Sequence, residues 1–146
     1  WLYIEDDTTP DQFDAVCVLQ NAKSLQRTKN TDTYERYPCD PAQAASGADE
    51  VTTLRSLSDA ITGTAFLTDK ALYERMNTWR TQHAVKIIGL RVYETPETGE
   101  NGALAFTYSG SATYAMGTVT MDPGQPISIE STITSDGGAF DLTVEA

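Results

Sequence analysis

General acid–base, nucleophilic and zinc chemistry draw most often on His and Cys, and this chain of 146 residues has one His and two Cys. His83 falls in what reads as the last turn of a helix, where a cation favours the helix dipole and can meet terminal carbonyls. No second His can share a zinc ion, and no Ser or Cys stands in a nucleophile-elbow sequence. Cys17 lies in the apolar run 15–19 (AVCVL) and reads as a small buried hydrophobe. Cys39 follows Pro38 at a loop entrance. A disulfide between them is arithmetically open, but a cytoplasmic origin argues against it, and no spacing supports a mixed Cys17, Cys39 and His83 site. The acidic cluster Glu5, Asp6, Asp7, Asp11 and Asp14 lacks the order and central Gly of an EF-hand, so a solvated turn is the better reading. Phe106, Tyr108 and Tyr114 could stack nucleobases, but stacking platforms come with a basic groove, and these aromatics read as core and cross-strand pairs. Residues 136–138 (DGG) match no phosphate cradle. The expectation is a protein without catalytic, cofactor or metal site.

Charge is the stronger signal. The net charge is −11, and no Lys or Arg follows Arg91. Glu94, Glu97, Glu100, Asp122, Glu130, Asp136, Asp141 and Glu145 all fall beyond it. Such a surface repels DNA, RNA and anionic membrane at moderate salt. It is poorly suited to hold a polyanion and well suited to let one slide past. No run approaches the roughly 18 apolar residues of a membrane span, so no membrane insertion is expected. Residues 1–7 (WLYIEDD) carry no signal-like block and no initiator Met, which implies cytoplasmic synthesis and a true start removed or lying elsewhere.

The elements follow from period and punctuation. Short strands are expected at 2–5 and about 13–19, separated by the acidic turn 6–12. Residues 22–29 place Lys23, Leu25, Arg27 and Lys29 on one side and read as an edge or inter-subunit strand, because basic residues discourage indiscriminate pairing. An extended piece at 32–38 leads to a long loop at 39–50, small, polar and nearly free of core-formers. A loop of that length is functional or disordered. Next come an approach from 51 and a strand near 58–66. Thr68 and Asp69 supply an N-cap and an acidic first turn for a helix at about 69–83. Leu72, Met76 and Trp79 give it one apolar stripe, which must be buried on a sheet. A strand at 84–93, a hairpin turn at 95–102 and strand-like stretches at 103–109, 111–121, 126–135 and 139–145 complete the pattern. Roughly eight strands and one helix in a single domain, 1–146, point to a mainly β (α+β) fold: a β-sandwich or partly closed barrel with one flanking helix. One helix cannot supply parallel crossovers.

In order, these features resemble the tail tube (major tail) proteins of long, non-contractile-tailed bacteriophages and phage-like particles. The resemblance runs from 2–7 (LYIEDD) through 16–35, the long loop, 58–67 and the Trp79 helix to 85–93. Its most specific part is the ending 117–142, where Pro-Gly precedes a strand, a Ser/Thr-rich strand follows, and Asp-Gly-Gly leads into the last strand. The resemblance implies hexameric rings whose inner strands join into one barrel and whose stacking makes a tube. It also implies the virion tail as location, assembly in the bacterial host cytoplasm, and tape-measure, tail terminator and baseplate proteins as partners. Double-stranded DNA would pass through without specific binding. Relatives of the fold also build contractile-tail and type VI secretion tubes.

Two sets of residues are candidates for that role. On 127–134 Ile127, Ile129 and Ile133 alternate with Ser128, Glu130, Thr132 and Thr134, so Glu130 is the candidate lumen carboxylate. In the long loop Asp40, Gln43, Asp49 and Glu50 are the candidate inter-subunit arm. The rival reading is a β-sandwich binding or adhesin module recognising a host surface ligand. Exposed aromatics on loops would favour it, whereas Trp79 is helical and Trp1 terminal.

Overall fold

Alternation of apolar and polar residues builds most of this chain as strands, which make up 62% of the described residues. The computed structural model describes residues 1–6, 8–16, 18–19, 21–37, 39, 42, 47–67, 69–94 and 102–145, and of residues 21 and 22 the backbone only. The elements are β1 (Leu2–Glu5), β2 (Phe13–Val16), β3 (Asn21–Arg36), β4 (Asp49–Phe66), α1 (Lys70–Gln82), β5 (Lys86–Tyr93), β6 (Leu104–Thr120), β7 (Ser128–Ser135) and β8 (Asp141–Val144). They form one antiparallel sheet in the order β2-β1-β5-β6-β7-β4-β3, with β8 on β6, and the sheet is not closed. The mainly β fold with one flanking helix is thus as expected.

Contacts divide the chain into two units, residues 1–27 with 58–146, and residues 28–57. In the first, Leu25 of β3 and Leu90 of β5 wall one groove, although β6, β7 and β4 lie between their strands. A flat sheet would hold them about 19 Å apart at the usual strand spacing. The sheet therefore curls, and its concave side encloses Leu2, Ile4, Ile61, Ile88 and Ile133. The stripe of α1 joins that core: Met76 and Trp79 are buried and Leu72 packs against them. Trp79 stacks on Tyr114 of β6 at 5.3 Å between ring centroids, and its indole N–H donates to the Ala84 carbonyl at 2.7 Å.

The second unit is the far half of the β3–β4 hairpin. Asn30 bonds Ser56 and Thr33 bonds Thr52, so partners run in opposite directions. None of its described residues belongs to the core, and Tyr34 and Leu54 are exposed. It is a two-stranded ribbon without a core of its own.

Four expectations are corrected. The piece at 22–29 and the extended piece begun at 32 are one strand, β3, which ends at Arg36, and the approach from 51 is the first half of β4, which begins at Asp49. Thr and Val supply enough β propensity to carry both strands through polar sequence. Asp49 and Glu50, expected in the loop at 39–50, accordingly belong to β4. The two stretches on either side of Gly110 are one strand, β6, because that residue lies against the ring of Phe140, where an added Cβ would sit 3.1 Å from Cδ1. At the helix start Asp69 is itself the cap, accepting from the Ala71 N–H at 2.9 Å, and the first turn holds no acid. Thr68, Cys17 and the turn 95–101 lie outside the described residues.

Candidate functional site

On β7 the odd positions Ile129, Ser131 and Ile133 are buried, which turns Glu130, Thr132 and Thr134 to the opposite, open face. Register extends this face across three strands. Ala60 of β4, Thr134 and Thr113 of β6 form one row; Thr62, Thr132 and Ala115 form the next; Thr64 and Glu130 begin a third. Ser24 of β3 continues the second row through a 2.7 Å hydroxyl–hydroxyl bond to Thr62. The face is paved with short hydroxyl and methyl side chains, and Glu130 is the one charge in these rows.

Glu130 also has a local task that its sequence context does not reveal. Between Met116 and Val119 the β6–β7 register slips, so Gly117 and Thr118 together oppose Glu130. A bulge of this kind leaves a backbone donor without a strand partner. The Glu130 carboxylate accepts it, from the Thr118 N–H at 3.3 Å. Gly117 permits the approach, because a Cβ there would stand 3.1 Å from both Cβ and Oε2 of Glu130.

Asp49 and Glu50 open β4 as exposed residues of the ribbon, on a different element from Glu130. Asp40 and Gln43 lie outside the described residues. His83 is the C-cap of α1 in a left-handed conformation, φ 50°, with its N–H donating to Arg80 O at 3.3 Å. Cys39 is an exposed free thiol. Asp6 accepts from Thr8 and Thr9, which holds its carboxyl below the usual range, while Asp14 pairs with Arg75 at 3.1 Å. Among the described residues no group of three or more His, Cys, Asp or Glu side chains could hold a metal ion. The gap between α1 and the sheet measures about 30 Å³ and is lined by Leu72, Met76 and Tyr114. It has room for a water and for no ligand.

One polar cluster has no sequence signal. Asp59 of β4 is buried and accepts from Arg27 Nε and Nη2, both at 2.8 Å, and from the Phe140 N–H at 2.8 Å. Its own N–H donates to Ser135 Oγ, and Arg27 donates again to the Phe140 carbonyl. The Arg27 guanidinium holds the Asp59 carboxyl below the usual carboxylate range, against the opposing effect of burial. The result is a clamp of β3, β4, the end of β7 and the segment before β8.

The described features are thus a short-chain hydroxyl face, an exposed ribbon and a strand pair clamped by Arg27 and Asp59. No family model matches the chain, and no curated sequence does. A chain in the tail of an empty gene transfer agent particle, determined by helical refinement with C6 symmetry, superposes with a TM-score of 0.55 at 17% identity, over 99% of this chain and 95% of that one. This is a shared fold. A chain from the virion of a native gene transfer agent particle superposes with a TM-score of 0.52, again at 17% identity, over 99% of this chain and 95% of the other. The mainly β fold with one flanking helix is therefore shared with these chains over nearly the whole length.

Proposed function

We propose that this chain is a structural subunit of a phage-type tail tube, forming sixfold rings that stack into a hollow conduit for DNA. The observation that carries the reading is end-to-end likeness in fold to a chain of a sixfold-symmetric gene transfer agent tail. Two features of the chain support it. The hydroxyl face spans β3, β4, β7 and the second half of β6, and it is bounded by two strand edges. β3 ends the sheet, while β5 pairs with β6 only as far as Ala112, which leaves 113–120 without a described partner on that side. β3 runs antiparallel to β6, so β3 of one copy can pair with 113–120 of the next and continue both the sheet and its hydroxyl face. Heterologous pairing that closes on itself makes a ring and abolishes the edges.

The hydroxyl face then lines the bore, with Glu130 repeated in every copy. Lacking cations, it gives passing phosphate no counterion-releasing contact to hold it back. The ribbon, with Asp49 and Glu50 at its β4 end, serves as the inter-subunit arm. A tape-measure protein fills the bore before DNA does, and terminator and baseplate proteins cap the tube in the virion tail after assembly in the host cytoplasm. The subunit carries out no catalysis. Electron microscopy of the purified protein tests the reading: rings or tubes with sixfold end views are expected. A monodisperse monomer at millimolar concentration would instead favour a β-sandwich binding module.

A further inference from the structure

Where the sheet curls, it leaves an open groove of about 490 Å³ in the first unit. Its walls are Leu25 of β3, Ile61 of β4, Leu90 of β5, and Phe106 and Tyr108 of β6, with Lys23 at the rim. Register carries the apolar surface outward. Tyr108 stands between Leu90 and Leu142, and Phe106 between Val92 and Val144, so both rows reach β8. There Leu142 is 50% and Val144 69% exposed. A continuous apolar strip of this kind on a soluble domain marks a surface that something covers. No acidic side chain lines the groove, and Lys23 has no described acidic partner, in a protein of net charge −11.

The ribbon has the opposite need. Residues 28–57 carry five acids against three bases, bury no core residue among those described, and expose Tyr34 and Leu54. An isolated two-stranded hairpin is marginal in water, so it requires an apolar surface from elsewhere. We infer that the groove between β3 and β5, continued over β8, is the receptor for the acidic ribbon of a second copy. Tyr34 and Leu54 supply the apolar contact, and Asp49 and Glu50 the charge opposite Lys23. The inference rests on the tube reading and adds the acceptor surface to it.

Charge exchange tests the pair. Lys23→Glu alone, and Asp49→Lys with Glu50→Lys alone, should each slow tube formation at least tenfold at low salt. A mixture of the two variants should regain at least part of the wild-type rate, because each offers the other a complementary partner. Circular dichroism melts of the monomers show whether either variant is simply misfolded. Trp1, which lines the groove and is 60% exposed, gives an independent readout. Its fluorescence should shift to the blue on assembly, and a Trp1→Phe variant should lose that shift while buried Trp79 still reports. Wild-type tubes that form without the shift, together with an unaffected Lys23→Glu variant, would overturn the groove assignment and leave the tube reading intact. Failure of wild-type protein to assemble would overturn both.

Discussion

Two side chains fix most of what the core can tolerate. Trp79 fills the space between α1 and the sheet, stacks on Tyr114 and satisfies its N–H on Ala84. Trp79→Ala should cost about 3–5 kcal/mol, since it removes a buried indole and leaves a cavity. Chemical denaturation of the monomer measures this, and a midpoint unchanged by the substitution would show that the stripe is not packing. Asp59 is the second. Its folded pKa is depressed, so its contribution is complete above the unfolded carboxylate value and is lost as pH falls below about 4. Asp59→Asn should weaken the protein at neutral pH and flatten the acid limb of a stability–pH profile. An acid limb identical to wild type would mean that the Arg27 clamp is not what acid breaks.

At the scale of elements, the ribbon and the bulge make separate demands. The ribbon buries too little apolar area to offset the entropy of ordering it, so its order should depend on neighbours. Limited proteolysis should cut within 37–50 early in the monomer and slowly in assembled tubes. Equal cleavage in both states would speak against an arm. The bulge in β6 calls for an acceptor at position 130 and a residue without a side chain at 117. Glu130→Gln keeps an acceptor for the Thr118 N–H, so it should preserve stability to within about 0.5 kcal/mol, as surface changes usually do. Gly117→Val, which forces the Glu130 side chain away, should be distinctly worse. If both substitutions behave alike in a thermal melt, the carboxylate–bulge contact has no structural weight.

For the whole molecule, charge sets the behaviour of an assembly. Copies carrying −11 repel one another, so association should accelerate as salt screens them over a Debye length of about 10 Å at 0.1 M. In the proposed tube, the bore raises the same issue for DNA. Glu130→Lys would reverse the charge in every copy of a ring, so particles should still assemble yet eject DNA more slowly, most of all at low ionic strength. Glu130→Gln removes the charge without offering phosphate a partner and should eject at nearly the wild-type rate. Single-particle ejection kinetics of the two variants at low salt would discriminate them, and wild-type kinetics for Glu130→Lys would move Glu130 off the bore.

Local period was enough to read the helix stripe Leu72, Met76 and Trp79, the alternation of Ile129 and Ile133 with Glu130 and Thr132, and the base-free C-terminal third, because each depends only on neighbours along the chain. From the same sequence alone come a mainly β chain with one flanking helix and the placement of Glu130 opposite the core. Continuity of β3 and β4 through polar residues was not legible, since a strand there is held by its partner across the hairpin and not by an apolar pattern. Gly110 inside β6 was equally hidden, because its tolerance depends on Phe140, 30 residues away. Only tertiary structure brought Arg27 to Asp59 and both to Phe140, and only it opposed Glu130 to a bulge. Long-range pairing is decided by which surfaces the curled sheet brings together, and no spacing in the sequence encodes that distance.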